Sequence, residues 1–292
     1  MTKTCYTPWS PNADSLQVVT WCNEIVESYQ KQGYDLTVRQ LYYRLVAADR
    51  IENNDKSYNR IKRIVGRARM AGLIDWRAIV DRTRHLRVGN RFRDPAHAAS
   101  VIRDAFKLDR WEDQPCRVEC WIEKDALVGV ISPTCYRLDV PFFSCRGYTS
   151  LSAHWRAAQR VRMANVDRQS FHILHLADHD PSGLDMTHDL IRRFKTFGVE
   201  ANVWRIALTM EQIEEYDPPP NFTKLSDSRS PEYVERFGNR SWELDALDPA
   251  VISGLVEKGI DDFCDDRIWE DMLEREQDMR EELDGVVREL ER

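Results

Sequence analysis

Apolar residues recur along this chain at two different periods. Up to residue 71 the spacing is helical. Val18, Val19, Cys22, Ile25 and Val26 form one stripe and predict a helix to about residue 32, capped by Asp14 or Ser15 and stopped by Gly33. Val38, Leu41, Tyr42, Leu45 and Val46 share a face of a second helix over 38–48 with Thr37 as its cap, which makes Tyr42 a core residue. Ile61, Ile64, Val65 and Ala68 form the inner face of a third helix over 57–71, ended by Gly72. Residues 73–88 mix apolar positions with Arg77, Arg82, Arg84 and Arg87 and read as hairpin-like. A short helical connector over 95–108 and a polar linker over 109–115 follow.

At residue 116 the period drops to two. Val118, Cys120 and Ile122 alternate with Arg117, Glu119 and Trp121, predicting a strand that ends at Glu123-Lys124-Asp125. Further strands are predicted over 140–143, 171–177 and 201–207, with helices over 126–131, 150–163 and 184–197 and another opened by Thr209. Strands alternating with helices predict an α/β fold, a parallel sheet with helices on both faces. Residues 215–236 are loop-like around Pro218-Pro219-Pro220, and 241–247, SWELDAL, begin a helical end. In the acidic segment 248–292, Ile268, Met272, Met279, Leu283, Val286, Val287 and Leu290 form an intermittent stripe. It docks on the body or on a second copy, unless it is a solvated tail. The expected domains are therefore 1–94, a linker at 95–115, an α/β unit at 116–247 and the acidic helical segment 248–292.

Composition narrows the function classes. The 292 residues carry 42% apolar side chains, and no apolar run approaches the ~20 residues of a membrane span. A polar N-terminal stretch without a signal-peptide core adds to the expectation of a cytoplasmic protein with no membrane partner. Seven scattered cysteines contain no CxxC pair and indicate neither a disulfide framework nor a cysteine zinc site. The net charge of -7 conceals an asymmetry. Acids crowd the C-terminal segment, whereas Arg60, Lys62, Arg63, Arg67 and Arg69 cover the third helix with few acids nearby. Three helices with a basic last one, followed by a hairpin-like segment, predict a winged helix-turn-helix that sets its basic helix against double-stranded DNA.

The candidate chemistry lies in residues 171–183, FHILHLADHDPSG. Asp178 and Asp180, at i and i+2, point the same way where a parallel strand passes into its helix, the edge at which open α/β sheets bind ligands. Glu123 is expected at the same edge, beside the Arg146-Gly147 loop. Three oxygen-only side chains suit a hard cation, Mg²⁺ with Mn²⁺ as a substitute. The plainer alternative is that the two aspartates cap the helix. His175 and His179 on one strand face offer a minor zinc reading, with His172 and His188 nearby. Tyr43 falls off the stripe of the second helix, one turn after Arg39, so that the guanidinium could hold a phosphate beside the phenol or lower its pKa.

These residues carry a resemblance. Arg39-Gln40-Leu41-Tyr42-Tyr43 resembles the R-x-x-(Y/F)-Y signature of the topoisomerase VI A subunit and the meiotic recombination proteins of its family. Ile122-Glu123-Lys124-Asp125-Ala126 is similar to that family's Toprim glutamate motif, Cys145-Arg146-Gly147-Tyr148 to its K-G loop, and Ala177-Asp178-His179-Asp180-Pro181-Ser182-Gly183 to its D-x-D-P-x-G metal motif. Arg146 stands in place of the usual lysine and Thr149 in place of proline. The likeness spans roughly residues 37–207 and includes no ATPase motif, which resembles the short stand-alone A-subunit-like proteins. It implies a winged-helix domain followed by a Toprim domain and Mg²⁺-dependent cleavage of double-stranded DNA. Tyr43 would attack a phosphodiester to give a 5′-phosphotyrosyl link, Glu123, Asp178 and Asp180 would hold the metal, and Arg39 would assist. It also implies a homodimer in which the tyrosine of one subunit meets the metal of the other, with a separate ATPase or recombination partner. Two alternatives stand beside it: a Toprim nuclease cutting with metal-bound water, and a non-catalytic DNA-binding subunit.

Overall fold

The computed structural model describes residues 3–80, 91–223 and 227–291. Three helices come first: α1 (Ala13–Lys31), α2 (Val38–Ala47) and α3 (Asp55–Met70). Their apolar stripes meet in one core, where Val18, Cys22, Val26, Leu41, Leu45, Ile61, Val65 and Ala68 are buried. Asn12, rather than Asp14 or Ser15, caps α1 by accepting from Ser15 N–H at 2.9 Å. Thr37 caps α2 in a reciprocal pair with Gln40. Beyond α3, Cys5 bridges Ala71 and Leu36 bridges Ile79 in parallel, so residues 73–80 form no hairpin of their own. Arg82, Arg84 and Arg87 of the expected hairpin lie outside the described residues.

The sheet is parallel in the order β2-β1-β3-β4. Its strands are β1 (Cys116–Ile122), β2 (Phe142–Ser144), β3 (Ser170–Leu176) and β4 (Asn202–Ala207). Alternation assigns each strand residue to a face. Cys120, Ile122, Leu174 and Leu176 pack against α5 (Val128–Arg137) and α10 (Pro249–Asp261). Trp121, Phe171 and Ile173 pack against α6 (Leu151–Val166) and α7 (Pro181–Thr196). The sheet is thus covered on both sides, and the loops at its carboxyl edge face the N-terminal helices.

Two expectations about connections give way. Residues 109–115 are not a free linker, because Trp111 is 2% exposed in the sheet core and its indole N–H donates to Leu138 O at 2.9 Å. The segment 248–292 is not a solvated tail. Ile252, Val256 and Ile260 of α10 complete the sheet core. The helix α11 (Asp266–Leu290) lies along α4 (Pro95–Ala105) through Arg103–Asp284, while its Glu276 receives the guanidinium of Arg110.

Between these parts run α8 (Met210–Tyr216), the short strand β5 (Asn221–Phe222), α9 (Ser230–Phe237) and β6 (Arg240–Ser241), with β5 and β6 antiparallel. SWELDAL does not open a long helix. Its Leu244–Ala246 is a single 3₁₀ turn that ties the two halves together. Leu244 is buried in the sheet core, Ala246 in the N-terminal core, and Tyr29 donates to the Asp248 carboxylate at 3.1 Å. No helix among the described residues is long and apolar enough to cross a membrane.

Candidate active site at the carboxyl edge of the sheet

The loop after β3 is shaped by its own hydrogen bonds. Asp180 caps α7, accepting from Gly183 N–H at 2.6 Å, with Pro181 at the helix start. Gly183 sits so close to the loop that a Cβ there would meet Asp178 O at 2.1 Å. His179 pairs with Trp242 in both directions, at 2.8 and 2.9 Å, which fastens SWELDAL beside the loop. Beneath it, Arg205 of β4 donates all five of its N–H groups. They go to the carbonyls of Ala177, Asp178, Gly183 and Leu208 and to the Thr187 hydroxyl.

The acids meet at this edge as expected. Glu123 accepts from Asp178 N–H at 2.9 Å, and Asp178 accepts from Leu244 N–H at 2.7 Å. Glu123, Asp178 and Asp180 line one cavity of about 1060 Å³ together with Arg39, Tyr43, Lys124, Arg146, Glu243 and Asp245. Each of the three acids has one engaged oxygen, and its second has no hydrogen-bond partner among the described residues. The cap alternative therefore holds for Asp180 and not for Asp178.

Two cations from opposite sides of the cavity bind the acids of SWELDAL. Lys124 Nζ lies 2.9 Å from Asp178, 2.8 Å from Glu243 and 2.7 Å from Asp245. Arg39 pairs with Glu243 and, at 3.1 Å, with Asp245. Leaving aside the Arg146–Asp125 pair at the rim, Arg39, Lys124 and Arg205 face the five carboxylates of Glu123, Asp178, Asp180, Glu243 and Asp245. Were all ionised, the cluster would carry two excess negative charges. The titration directions reflect that excess. Burial first, then the charge of Asp178, pushes Glu123 up to about 7. Burial also raises Asp178 and Asp245 despite Lys124. It works to raise Glu243 as well, but Lys124 and Arg39 overcome it and hold that carboxyl at about 2.

Tyr43 departs from its expected environment. Its ring is 4% exposed, edge-on to Tyr42 within the N-terminal core, and only its hydroxyl end meets the cavity. That hydroxyl accepts from Arg39 at 3.4 Å and faces the charge of Glu243. Arg39 acts to lower its pKa, but burial, then Glu243 and Asp245, outweigh it and raise it. The phenol and the acids also share a cavity within one chain, whereas the family resemblance implies that they meet across two subunits.

Other expected site residues are divided. On α3, Arg60 pairs with Asp14, Arg67 stacks over Trp9, and Arg69 stacks over Trp76 and donates to its carbonyl at 3.0 Å. Lys62 and Arg63 are left exposed. Arg146 reaches the cavity rim, paired with Asp125 at 3.2 Å. The zinc reading fails, since His175 bonds to Thr187 and His179 to Tyr233, each at 2.9 Å. Among the described residues no three His, Cys, Asp or Glu stand at metal-binding spacing, so the three acids do not form a closed cage. The donor set still fits a hard ion that needs only one or two carboxylates, and a divalent charge would balance the cluster. Lys124, Arg205, Glu243 and Asp245 had no assigned role at the level of sequence, although a lone arginine in the apolar run VWRIA and two acids in SWELDAL were visible signals. Compared with known proteins, the chain matches no family model and no curated protein.

Proposed function

We propose that this chain cleaves double-stranded DNA in a magnesium-dependent reaction that links Tyr43 to the 5′ phosphate, the activity implied by its resemblance to the topoisomerase VI A subunit. On this reading residues 1–94 act as a winged-helix domain and 116–247 as a Toprim domain. The observation that carries it is the convergence of Tyr43, Arg39 and the acids Glu123, Asp178 and Asp180 on one cavity. One or two of those acids would hold Mg²⁺, or Mn²⁺, through their open oxygens. The ion, when bound, supplies positive charge opposite the leaving 3′ oxygen.

The tyrosine oxygen attacks phosphorus, the bond to the 3′ oxygen breaks, and the ester retains the energy for resealing. The phenol proton passes to solvent, Arg39 stabilises the phenolate, and the 3′ oxygen takes up a proton. Contacts within one chain run from Tyr43 through Arg39, Glu243, Lys124 and Asp178 to Glu123. On this reading the phenol and the acids of one chain face the same cavity. Two copies, one per strand, would give a double-strand break. Incubation with supercoiled DNA and Mg²⁺ followed by denaturation should leave protein on the cut 5′ ends, and chelation should prevent it. Cut DNA with free ends contradicts the proposal.

One observation favours a second reading. Tyr43 is almost wholly buried and holds its proton more tightly than a free phenol. In that case the acids would hold an ion that supplies hydrolytic chemistry, and Tyr43→Phe retains cleavage with free 5′ ends.

A further inference from the structure

The acids of SWELDAL differ in accessibility, and the difference has a functional reading. The Asp245 side chain is 0% exposed and holds both Lys124 and Arg39. Glu243 holds the same two cations but is 22% exposed, and Arg39 beside it is 45% exposed. Glu243 also accepts from Asn221 Nδ2 at 3.2 Å. Asn221 is aimed by Asn53, which donates to its carbonyl oxygen at 2.6 Å and is itself held by Tyr42 at 2.9 Å. A planar monoanion thus sits in a cradle of a guanidinium, an ammonium and an amide N–H. Those donors match the two non-bridging oxygens of a phosphodiester, which carries the same single charge.

We propose that Arg39, Lys124 and Asn221 form a binding site for one nucleic-acid phosphate beside Tyr43, and that the Glu243 carboxylate fills it until a phosphate displaces it. This rests on the reading that DNA is the substrate and adds where the phosphate binds and what guards the site. The exchange replaces one negative charge by another. Asp245 and Asp178 keep Lys124 in place afterwards, and Asp245 keeps Arg39. The backbone on both sides of Glu243 is fixed, at Trp242 by His179 and at Leu244 by Asp178, so the carboxylate leaves by side-chain rotation.

The test is binding of a labelled short duplex by the full chain in chelator, where no cleavage intrudes, with inorganic phosphate as competitor. Glu243→Gln, which keeps the shape, and Glu243→Ala should each bind the duplex about tenfold more tightly than wild type. Phosphate should compete at correspondingly lower concentration. Adding Arg39→Gln should return affinity to the wild-type level or below. Asp55→Asn, which removes an exposed rim charge outside the cradle, should change affinity by less than about threefold. Unchanged or weaker binding by a folded Glu243→Gln overturns the proposal. So does a gain that phosphate does not compete away, or one that Asp55→Asn reproduces. Tighter binding without protein-linked DNA would keep this site and reject the tyrosine chemistry. Protein-linked DNA without tighter binding would do the reverse.

Discussion

Replacing Glu123 with glutamine removes a charge and keeps the shape. The folded carboxyl titrates at about 7 against an ordinary 4.5, because burial and the neighbouring Asp178 both oppose its ionisation. A value raised by folding means that the contribution to stability is fully present below about pH 4.5 and is lost as pH rises through about 7. Each pKa unit corresponds to about 1.4 kcal/mol. The raised value therefore costs about 3 kcal/mol at pH 8, where the folded carboxyl is ionised, and about 1 kcal/mol at pH 5.5, where folding takes up a proton. The glutamine oxygen still accepts from Asp178 N–H, so little is lost in exchange. Glu123→Gln is expected to be more stable than wild type by about 2–3 kcal/mol at pH 8, with the gap narrowing by about 2 kcal/mol at pH 5.5. Urea unfolding followed by tryptophan fluorescence measures both. Magnesium chloride should raise the wild-type midpoint at pH 8 and leave that of the variant nearly unchanged, and the stabler variant should form no DNA adduct. A variant less stable than wild type at pH 8, or a gap that ignores pH, would refute the electrostatic account.

Other perturbations test the supports of the site. Gly183→Ala places a methyl group against Asp178 O and should cost about 3 kcal/mol in chemical denaturation, with loss of cleavage. Arg205→Lys exchanges five donors for three and leaves loop carbonyls unpaired, so a loss of about 3 kcal/mol is expected; a loss below about 1 kcal/mol would show that water replaces the guanidinium. Lys62→Ala with Arg63→Ala should weaken duplex binding about tenfold at low salt and flatten its salt dependence, whereas Arg60→Ala, whose charge is already met by Asp14, should change it less.

The parallel sheet was legible because its strands alternate cleanly and end in charged turns. Residues 116–122 and 171–177 fall within a residue of β1 and β3. Thr37 and Thr209 were legible at helix starts because their short oxygens precede helical runs. Glu123, Asp178 and Asp180 could be placed at one edge because β1 and β3 are parallel neighbours in register, Ile122 opposite Leu176. Long-range pairing was not legible. SWELDAL reads as a helix start by composition, but Trp242 bonds to His179 and Leu244 to Asp178, and these contacts join segments more than 60 residues apart. The burial of Tyr43 was missed because a helical wheel sees one apolar stripe, whereas SWELDAL packs over the other side of α2. The same segment supplies Glu243 and Asp245, and burial together with their charges outweighs the lowering effect of Arg39 on the phenol.

The most direct test is to digest the denatured protein–DNA product with protease and nuclease and to identify the peptide that keeps a nucleotide. The account predicts a phosphodiester on the peptide containing Tyr43, absent when Tyr43→Phe or Glu123→Gln is used. A nucleotide on any other residue, or cleavage that leaves no modified peptide, would contradict it.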